Sequence, residues 1–163
     1  DRGKPARSRR LRAQAMSSYK RPVSVLVVIH TPDLQILMLE RAAHPGYWQS
    51  VTGSLEEGEN LPEAAWREVA EETGLTAGRL HDWQQQNVWE IYPRWRHRYA
   101  PGVTHNTEHV FSLEVPAGLS VRLAPGEHTA ACWLPWQAAA AQAFSPSNAE
   151  AIRALARQQA AWP

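Results

Sequence analysis

The chain has 163 residues, of which 44% are hydrophobic and 20% are charged, a balance typical of a folded globular domain. The formal net charge is only +1, and the single cysteine, Cys132, cannot form a disulfide within the chain, which favours a reducing compartment such as the cytoplasm. The longest apolar run, at 23–29, is strand-sized, so we expect neither a membrane protein nor a secreted disulfide scaffold.

Basic residues are concentrated at the N-terminal end. Residues 1–18 contain six arginines or lysines and one aspartate, so the rest of the chain is net negative. A basic arm can bind nucleic acid or acidic surfaces, but a solvated terminus is the more common case. We therefore expect residues 1–18 to be a basic, flexible N-terminal extension and residues 19–163 to form one domain.

Strand patterns are distributed along this domain. The first, VSVLVVI at 23–29, is apolar throughout and predicts a central strand buried on both faces. The turn sequence TPDLQ separates it from a second strand at 36–40, and the pair predicts a hairpin. Further strands are predicted at 48–53, near 83–91, near 108–115 and at 131–135.

Two helices are predicted between and after these strands. Asn60 and Glu63 form a capping-box variant and Gly74 supplies a stop, which predicts a helix over 60–74. A final helix is predicted over 148–159, after Ser147. Strands that alternate with two helices indicate an α/β domain.

The first of these helices carries three acidic residues on one face. Glu68, Glu71 and Glu72 have the spacing i, i+3, i+4, whereas Ala65 and Val69 fall on a different face that can pack against the sheet. Carboxylates crowded in this way repel one another unless a cation lies among them. Hard Mg²⁺ prefers such oxygen ligands and is commonly shared with substrate phosphates.

The surrounding residues make the pattern specific. Gly53, Glu59 and the segment REVAEETGL at 67–75 match G-x5-E-x7-R-E-U-x-E-E-x-G-U, in which U is aliphatic. On this motif the chain resembles the Nudix hydrolases. The resemblance implies an α/β/α sandwich with a mixed, curved sheet and a loop–helix–loop catalytic motif. It also implies hydrolysis of a nucleoside diphosphate linked to another moiety, with Mg²⁺ or Mn²⁺ as cofactor.

The resemblance assigns roles within the motif. It implies that Glu68 and Glu72 are the principal metal ligands and that Glu71 is a further ligand or a water-positioning carboxylate. It also implies that Arg67 and Glu59 pair and brace the loop. The general base stays open among Glu71, Glu72 and an acid outside the helix, Glu127.

Segments outside the motif narrow the resemblance to one bacterial subgroup. These segments are YKRPVSVLVVI, ILMLER, WQSVTGSLEEGE, RHRYAPGVTHNTEH and the late GEH. They resemble the enzymes of folate synthesis that cleave dihydroneopterin triphosphate to the monophosphate and pyrophosphate, and that also accept deoxynucleoside triphosphates. In this subgroup Glu127 matches a metal ligand, whereas His128 is expected to be a neighbour because imidazole suits Mg²⁺ poorly.

The candidate substrate-binding residues follow from the same match. Lys20 and Arg41 flank central strands and can hold a triphosphate as cationic clamps, and Thr52 can offer a hydroxyl near the phosphates. The segment 89–92 supplies aromatic faces suited to a pterin or purine ring. The full set is Lys20, Arg41, Thr52, Trp89, Glu90, Ile91, Tyr92 and Ser145.

Three functions remain to be separated. The first is pyrophosphohydrolysis of a pterin triphosphate, and the second is removal of noncanonical or surplus deoxynucleoside triphosphates. The third is a Nudix domain without catalysis that binds nucleotides or RNA, which the complete carboxylate set argues against. The segment 94–102 alternates arginine with aromatic residues as in single-strand binding. We interpret it as a basic loop over the triphosphate and expect neither nucleic acid nor a membrane as partner; the sequence leaves the oligomeric state open.

Overall fold

A computed structural model describes residues 19–160, so the predicted extension at 1–18 lies outside the described residues. The strands are β1 (Val23–His30), β2 (Gln35–Arg41), β3 (Trp48–Gln49), β4 (Val51–Ser54), β5 (Arg79–Glu90), β6 (His105–Glu114) and β7 (His128–Pro135). The helices are α1 (Leu61–Thr73), α2 (Trp136–Gln142) and α3 (Pro146–Ala160), with a 3₁₀ helix at Pro93–Arg98. Within residues 19–160, no helix combines the length and apolar character needed to cross a membrane.

All seven strands form one mixed sheet with β1 at its centre. Strand β1 runs parallel to β6 on one side, and on the other side it pairs antiparallel with β4 and, at its end, with β2. Strand β2 also pairs with β3 and β7, and β5 pairs with β6. Because β1 has partners on both sides, its backbone hydrogen bonds are made within the sheet.

Successive side chains of β1 point to opposite faces, and each face has its own core. Val25 and Val27 pack in the same cluster as Val69 of α1. Leu26, on the other face, packs in a cluster that contains Ile152 of α3. This arrangement confirms the predicted α/β/α sandwich with a mixed sheet.

The predicted strand at 48–53 is two strands in the structure. Residues Trp48–Gln49 pair with β2, whereas Val51–Ser54 pair with β1. Ser50 lies at the junction, where its backbone N–H donates to Asn148 Oδ1 (2.8 Å) and its hydroxyl accepts from Asn148 Nδ2 (2.9 Å). The Asn148 side chain thus bonds the residue at which the strand changes partner.

Helix α1 matches its prediction at both ends. Glu63 N–H donates to Asn60 Oδ1 (2.9 Å), and Asn60 N–H donates to Glu63 Oε1 (3.4 Å), which completes the capping box. Gly74 ends the helix with φ of 76°, a left-handed conformation that glycine adopts without steric cost.

The prediction for the start of the last helix is wrong. Helix α3 begins at Pro146, and the hydroxyl of Ser145 accepts a hydrogen bond from the backbone N–H of Asn148 (3.1 Å). Ser145 is therefore the cap, because proline is well suited to the first helical position and lacks the N–H that is unused there. The sequence prediction also omitted α2, whose Ala139 and Ala140 are buried.

Removal of the α1 cap should weaken folding. We expect Asn60→Ala to lower the free energy of unfolding by about 1 kcal/mol, because the Glu63 N–H loses its acceptor. Asn60→Ser, which keeps a side-chain acceptor, should retain most of the wild-type stability. Urea unfolding of the three proteins measures the difference, and equal midpoints for Ala and wild type would contradict the assigned role.

Candidate functional site

Two glutamates of α1 lie on the side of the helix that faces the sheet. Glu68 and Glu72 follow the buried Ala64 at intervals of one turn, so they point toward the protein and not into solvent. The Glu68 side chain is 12% exposed and that of Glu72 is 4% exposed. Glu71, on the adjacent stripe, is 54% exposed and lies at the rim.

The guanidinium of Arg67 joins the loop to this helix. Its Nε and Nη2 donate to the two carboxylate oxygens of Glu59 at 2.6 and 3.0 Å, and Nη2 also donates to the Ser54 carbonyl (2.9 Å). Its Nη1 donates to Glu68 Oε1 (2.7 Å) and to Glu71 Oε2 (3.3 Å). The predicted pairing of Arg67 with Glu59 is thus present in the structure, and Arg67 also fixes Glu68.

The contacts between Arg67 and Glu59 keep both side chains charged. Hydrogen bonds from Arg67 lower the pKa of Glu59, and the same bonds raise the pKa of Arg67. Both groups therefore stay charged at neutral pH. A bidentate guanidinium–carboxylate pair of this kind fixes orientation as well as distance.

Gly53 allows the close approach of Glu68 to the sheet. A Cβ atom on Gly53 would overlap the Glu68 carboxyl group, so any other residue here would force that carboxyl group to move. The glycine of the motif is thus explained by packing, since its backbone is not in the left-handed region. A substitution here would displace a carboxylate and would not strain the backbone.

Glu72 lies close to Glu127, in the loop before β7, and to His128, the first residue of β7. One ligand atom from each of Glu72, Glu127 and His128 lies within 4.8 Å of the other two, and His128 Nε2 is 3.5 Å from Glu72 Oε1. Within residues 19–160, Glu72 Oε2 is buried without a hydrogen-bond partner. A buried carboxylate oxygen beside a second carboxylate fits a hard divalent cation, which would supply the missing partner.

Burial and mutual repulsion shift the pKa values in this cluster. Burial, together with the charges of Glu68 and Glu127, raises the pKa of Glu72 well above its usual value. Burial also raises the pKa of Glu68, although Arg67 opposes the shift. Burial and the nearby Arg41 lower the pKa of His128, so its ring is neutral at pH 7.

The two predicted cations lie near different members of the cluster, Lys20 near Glu68 and Glu127 and Arg41 near His128. Desolvation and the charge of Arg98 lower the pKa of Lys20, whereas Glu68 and Glu127 are near enough to oppose this shift. The backbone N–H of Lys20 donates to the Arg98 carbonyl (2.8 Å), which fixes the segment before β1. Desolvation and the charge of Arg98 also lower the pKa of Arg41.

The 3₁₀ helix Pro93–Arg98 covers the first part of the segment 94–102 that was interpreted as a basic loop. It contributes Trp95, an aromatic residue absent from the predicted substrate-binding set. The guanidinium of Arg41 lies 5.6 Å from the centre of the Trp95 ring, and that of Arg94 lies 4.6 Å from it. Tyr92, exposed by 54%, meets Trp95 edge to face. The alternation of arginine and aromatic residues at 94–98 was the available signal for this cluster.

The remaining predicted residues are distributed over several environments. Thr52 and Trp89 are half-buried, but Ile91 is fully buried in the core. The Glu90 carboxylate pairs with Arg96 at 2.6 Å on the surface. Ser145 caps α3, as described above. The structure therefore brings Lys20 near Glu68 and Glu127 and Arg41 near His128, whereas the side chains of Glu90 and Ile91 have other partners.

Comparison with known proteins agrees with this geometry. The NUDIX domain matches residues 20–155. Dihydroneopterin triphosphate diphosphatase of Escherichia coli K12 is 50% identical over 139 residues, which cover 82% of this chain and 91% of the relative. The protein of the same name from Haemophilus influenzae is 40% identical over 148 residues, which cover 88% and 92%. The chain belongs to the NUDIX family and is a Nudix hydrolase, which confirms the predicted family.

Solved structures agree with the fold. The structure of the Escherichia coli dihydroneopterin triphosphate pyrophosphohydrolase superposes with a TM-score of 0.76 at 50% identity, and the match covers 82% of this chain and 94% of that one. The MutT protein of Methanosarcina mazei gives a TM-score of 0.63 at 24% identity, over 86% and 94% of the two chains. The second match concerns the fold alone.

The packing of Gly53 generates a prediction for metal binding. We expect Gly53→Ala to weaken Mn²⁺ binding by at least about 10-fold, because the added methyl group displaces Glu68. Gly46→Ala is the control for a general loss of stability, since its φ of 89° strains an alanine although nothing lies within 4 Å of a Cβ at that position. Titration with Mn²⁺ by electron paramagnetic resonance measures the change. Equal affinities for Gly53→Ala and wild type would show that the position of Glu68 does not matter for the metal.

Proposed function

We propose that this protein hydrolyses dihydroneopterin triphosphate to dihydroneopterin monophosphate and pyrophosphate, as a Mg²⁺-dependent or Mn²⁺-dependent enzyme of folate biosynthesis. The observation that carries the proposal is the cluster of Glu72, Glu127 and His128, in which a buried oxygen of Glu72 has no hydrogen-bond partner within residues 19–160. Lys20 lies near Glu127, and Arg41 lies near His128. The relatives with 50% and 40% identity carry the name of this activity.

The carboxylates have separate tasks in this proposal. Glu68 and Glu72 hold the cation from the helix, and Glu127 approaches it from the loop before β7. When bound, the cation neutralises developing phosphoryl charge and lowers the pKa of a water molecule. Arg67, held by Glu59, donates directly to Glu68 and so keeps that carboxylate in position. Glu71 is half exposed beside Glu68 and can orient the attacking water.

The cations and the ring-binding residues complete the site. Lys20 and Arg41 bind the triphosphate, and a charge-assisted contact of this kind both orients the chain of phosphates and stabilises the leaving pyrophosphate. Thr52 offers its hydroxyl to the same group. Trp89 and Tyr92 contact the ring, and we assign Ser145 a positioning role through the α3 cap. The lone Cys132 and a metabolite substrate are consistent with a cytoplasmic enzyme.

A product analysis with matched variants tests the proposed reaction. We expect monophosphate and pyrophosphate in equal amounts at early times, and a higher kcat/KM for dihydroneopterin triphosphate than for the deoxynucleoside triphosphates. Glu72→Gln should lower kcat at least about 100-fold, since the amide lacks the charge that holds the cation. Glu57→Gln, an exposed loop control, should keep wild-type turnover. Orthophosphate released with a diphosphate intermediate would contradict the reaction, and preference for a deoxynucleoside triphosphate would favour the nucleotide-pool function.

The role of Glu127 can be tested separately. Glu127→Ala should lower kcat about 10-fold or more and raise the Mg²⁺ concentration needed for half-maximal rate, because one ligand from the loop is lost. The melting temperature without metal should change little, since the residue is exposed. Mg²⁺ titrations of the rate for Glu127→Ala and Glu57→Ala give the comparison. An unchanged midpoint and kcat in Glu127→Ala would remove this residue from the metal site.

A further inference from the structure

A group of polar residues lies on the sheet face opposite α1. Ser24 of β1 is in register with Glu108 of β6, and Asn87 of β5 is in register with the same residue. Trp89 is in register with Asn106, which precedes Glu108 by two positions and so shares its face. We call these five residues the polar patch. Val110 follows Glu108 by two positions and packs against α2 and α3. The polar patch is therefore on the face of the sheet that α2 and α3 cover.

Two acceptors of the polar patch are buried without partners. Asn106 is 1% exposed and Glu108 is 6% exposed. The amide nitrogen of Asn106 donates to Ser24 Oγ (2.8 Å), but Asn106 Oδ1 and Glu108 Oε1 have no hydrogen-bond partner within the described residues 19–160. Each unpaired buried acceptor costs roughly 1–3 kcal/mol. Two such atoms on one strand indicate that a molecule from outside the chain supplies the donors.

The patch lies at the same end of the sheet as the candidate metal site. Ser24 is at the start of β1, four positions after Lys20, so the two residues are at most about 14 Å apart along the chain. Thr52, in register with Leu26, shares the face of the patch, whereas the next residue, Gly53, contacts Glu68 on the other face. A molecule with its phosphates at Lys20 can therefore extend its other end to the patch.

The chemistry of the patch selects the kind of ring. Its two free atoms both accept hydrogen bonds, and the indole of Trp89 offers an aromatic surface beside them. Burial raises the pKa of Glu108, and the nearby Ser147 and Asn87 oppose this shift. A carboxylate pairs best with two adjacent N–H donors, such as a ring N–H next to an exocyclic amino group. An adenine edge presents one donor next to an acceptor and leaves one oxygen unpaired.

We propose that Glu108 and Asn106 determine ring specificity by accepting hydrogen bonds from the 2-amino and ring N–H groups of a 2-amino-4-oxopyrimidine ring, the edge that pterins and guanine share. This proposal rests on the proposed function, because it assigns the ring end of the triphosphate substrate. It adds two residues of β6, Asn106 and Glu108, to the ring contacts predicted at 89–92.

Binding of two nucleotides that differ in one amino group tests this proposal. Calorimetry in EDTA compares dGMP with dIMP, which lacks the 2-amino group. Wild-type protein should bind dGMP at least about 10-fold more tightly, as expected for a hydrogen bond to a charged group. Glu108→Gln should weaken dGMP binding by about 10-fold or more and remove the difference between the two nucleotides. Glu114→Gln, on the same strand and face but at its far end, should leave both affinities unchanged.

Two results would overturn the assignment. One is equal affinity of the wild-type protein for dGMP and dIMP, a comparison that needs no variant and stands even where Glu108→Gln does not fold. The other is an equal loss of affinity for both nucleotides in a folded Glu108→Gln protein, which would indicate a structural role. Failure to hydrolyse dihydroneopterin triphosphate would contradict the proposed function. It would not decide the ring assignment, because nucleotide binding is measured without metal and without turnover.

Discussion

Carboxylates crowded on neighbouring turns of a helix repel one another, and the Arg67 guanidinium offsets this repulsion between Glu68 and Glu71 of α1. It contacts Glu59 of the loop together with Glu68 and Glu71 of the helix. Charge-assisted hydrogen bonds from Arg67 thus join the loop to the helix, although the carboxylates of the loop and of the helix would repel one another without it. Arg67 does not contact Glu72, whose buried Oε2 has no hydrogen-bond partner among residues 19–160. A bound cation would supply that partner.

The central strand β1 contributes residues to the hydrophobic cores on both faces of the sheet. Odd-numbered residues of β1 pack under α1, and even-numbered residues pack under α2 and α3. Because β4 pairs with the first half of β1, Gly53 and Thr52 are divided between these faces in the same way. One short paired segment therefore contacts the Glu68 carboxylate on one face and carries the Thr52 hydroxyl on the other.

The parts that sequence reasoning predicted are those encoded locally. The capping box of Asn60, the stop at Gly74 and the motif spacing each depend on residues a few positions apart, and each has the predicted local structure. The break at Ser50 was not predictable, because it depends on Asn148 from α3. The start of α3 was placed too late, since two serines two positions apart both resemble caps and only the position of Pro146 separates them.

Residues whose role depends on strand register had no usable signal in the sequence. Glu108 stands in the segment HNTEHVF, whose first five residues are all polar, a pattern equally typical of a solvated strand. Its burial follows from the pairing of β6 with both β1 and β5 and from the cover of α3, which are long-range contacts. The carboxylates of α1, in contrast, were predictable because a motif fixed their helix and their face together.

The parallel pairing of β1 with β6 also governs the order of assembly. In a chain made from its N-terminus, β1 emerges long before Thr107, the first partner of Val23, exists. Antiparallel contacts with β2 and β4 close short loops and can form early, whereas the parallel edge must wait for most of the chain. During synthesis the most apolar strand thus presents one open edge, a surface on which nascent chains aggregate or recruit chaperones. Closure of that edge by β6 ends this exposure.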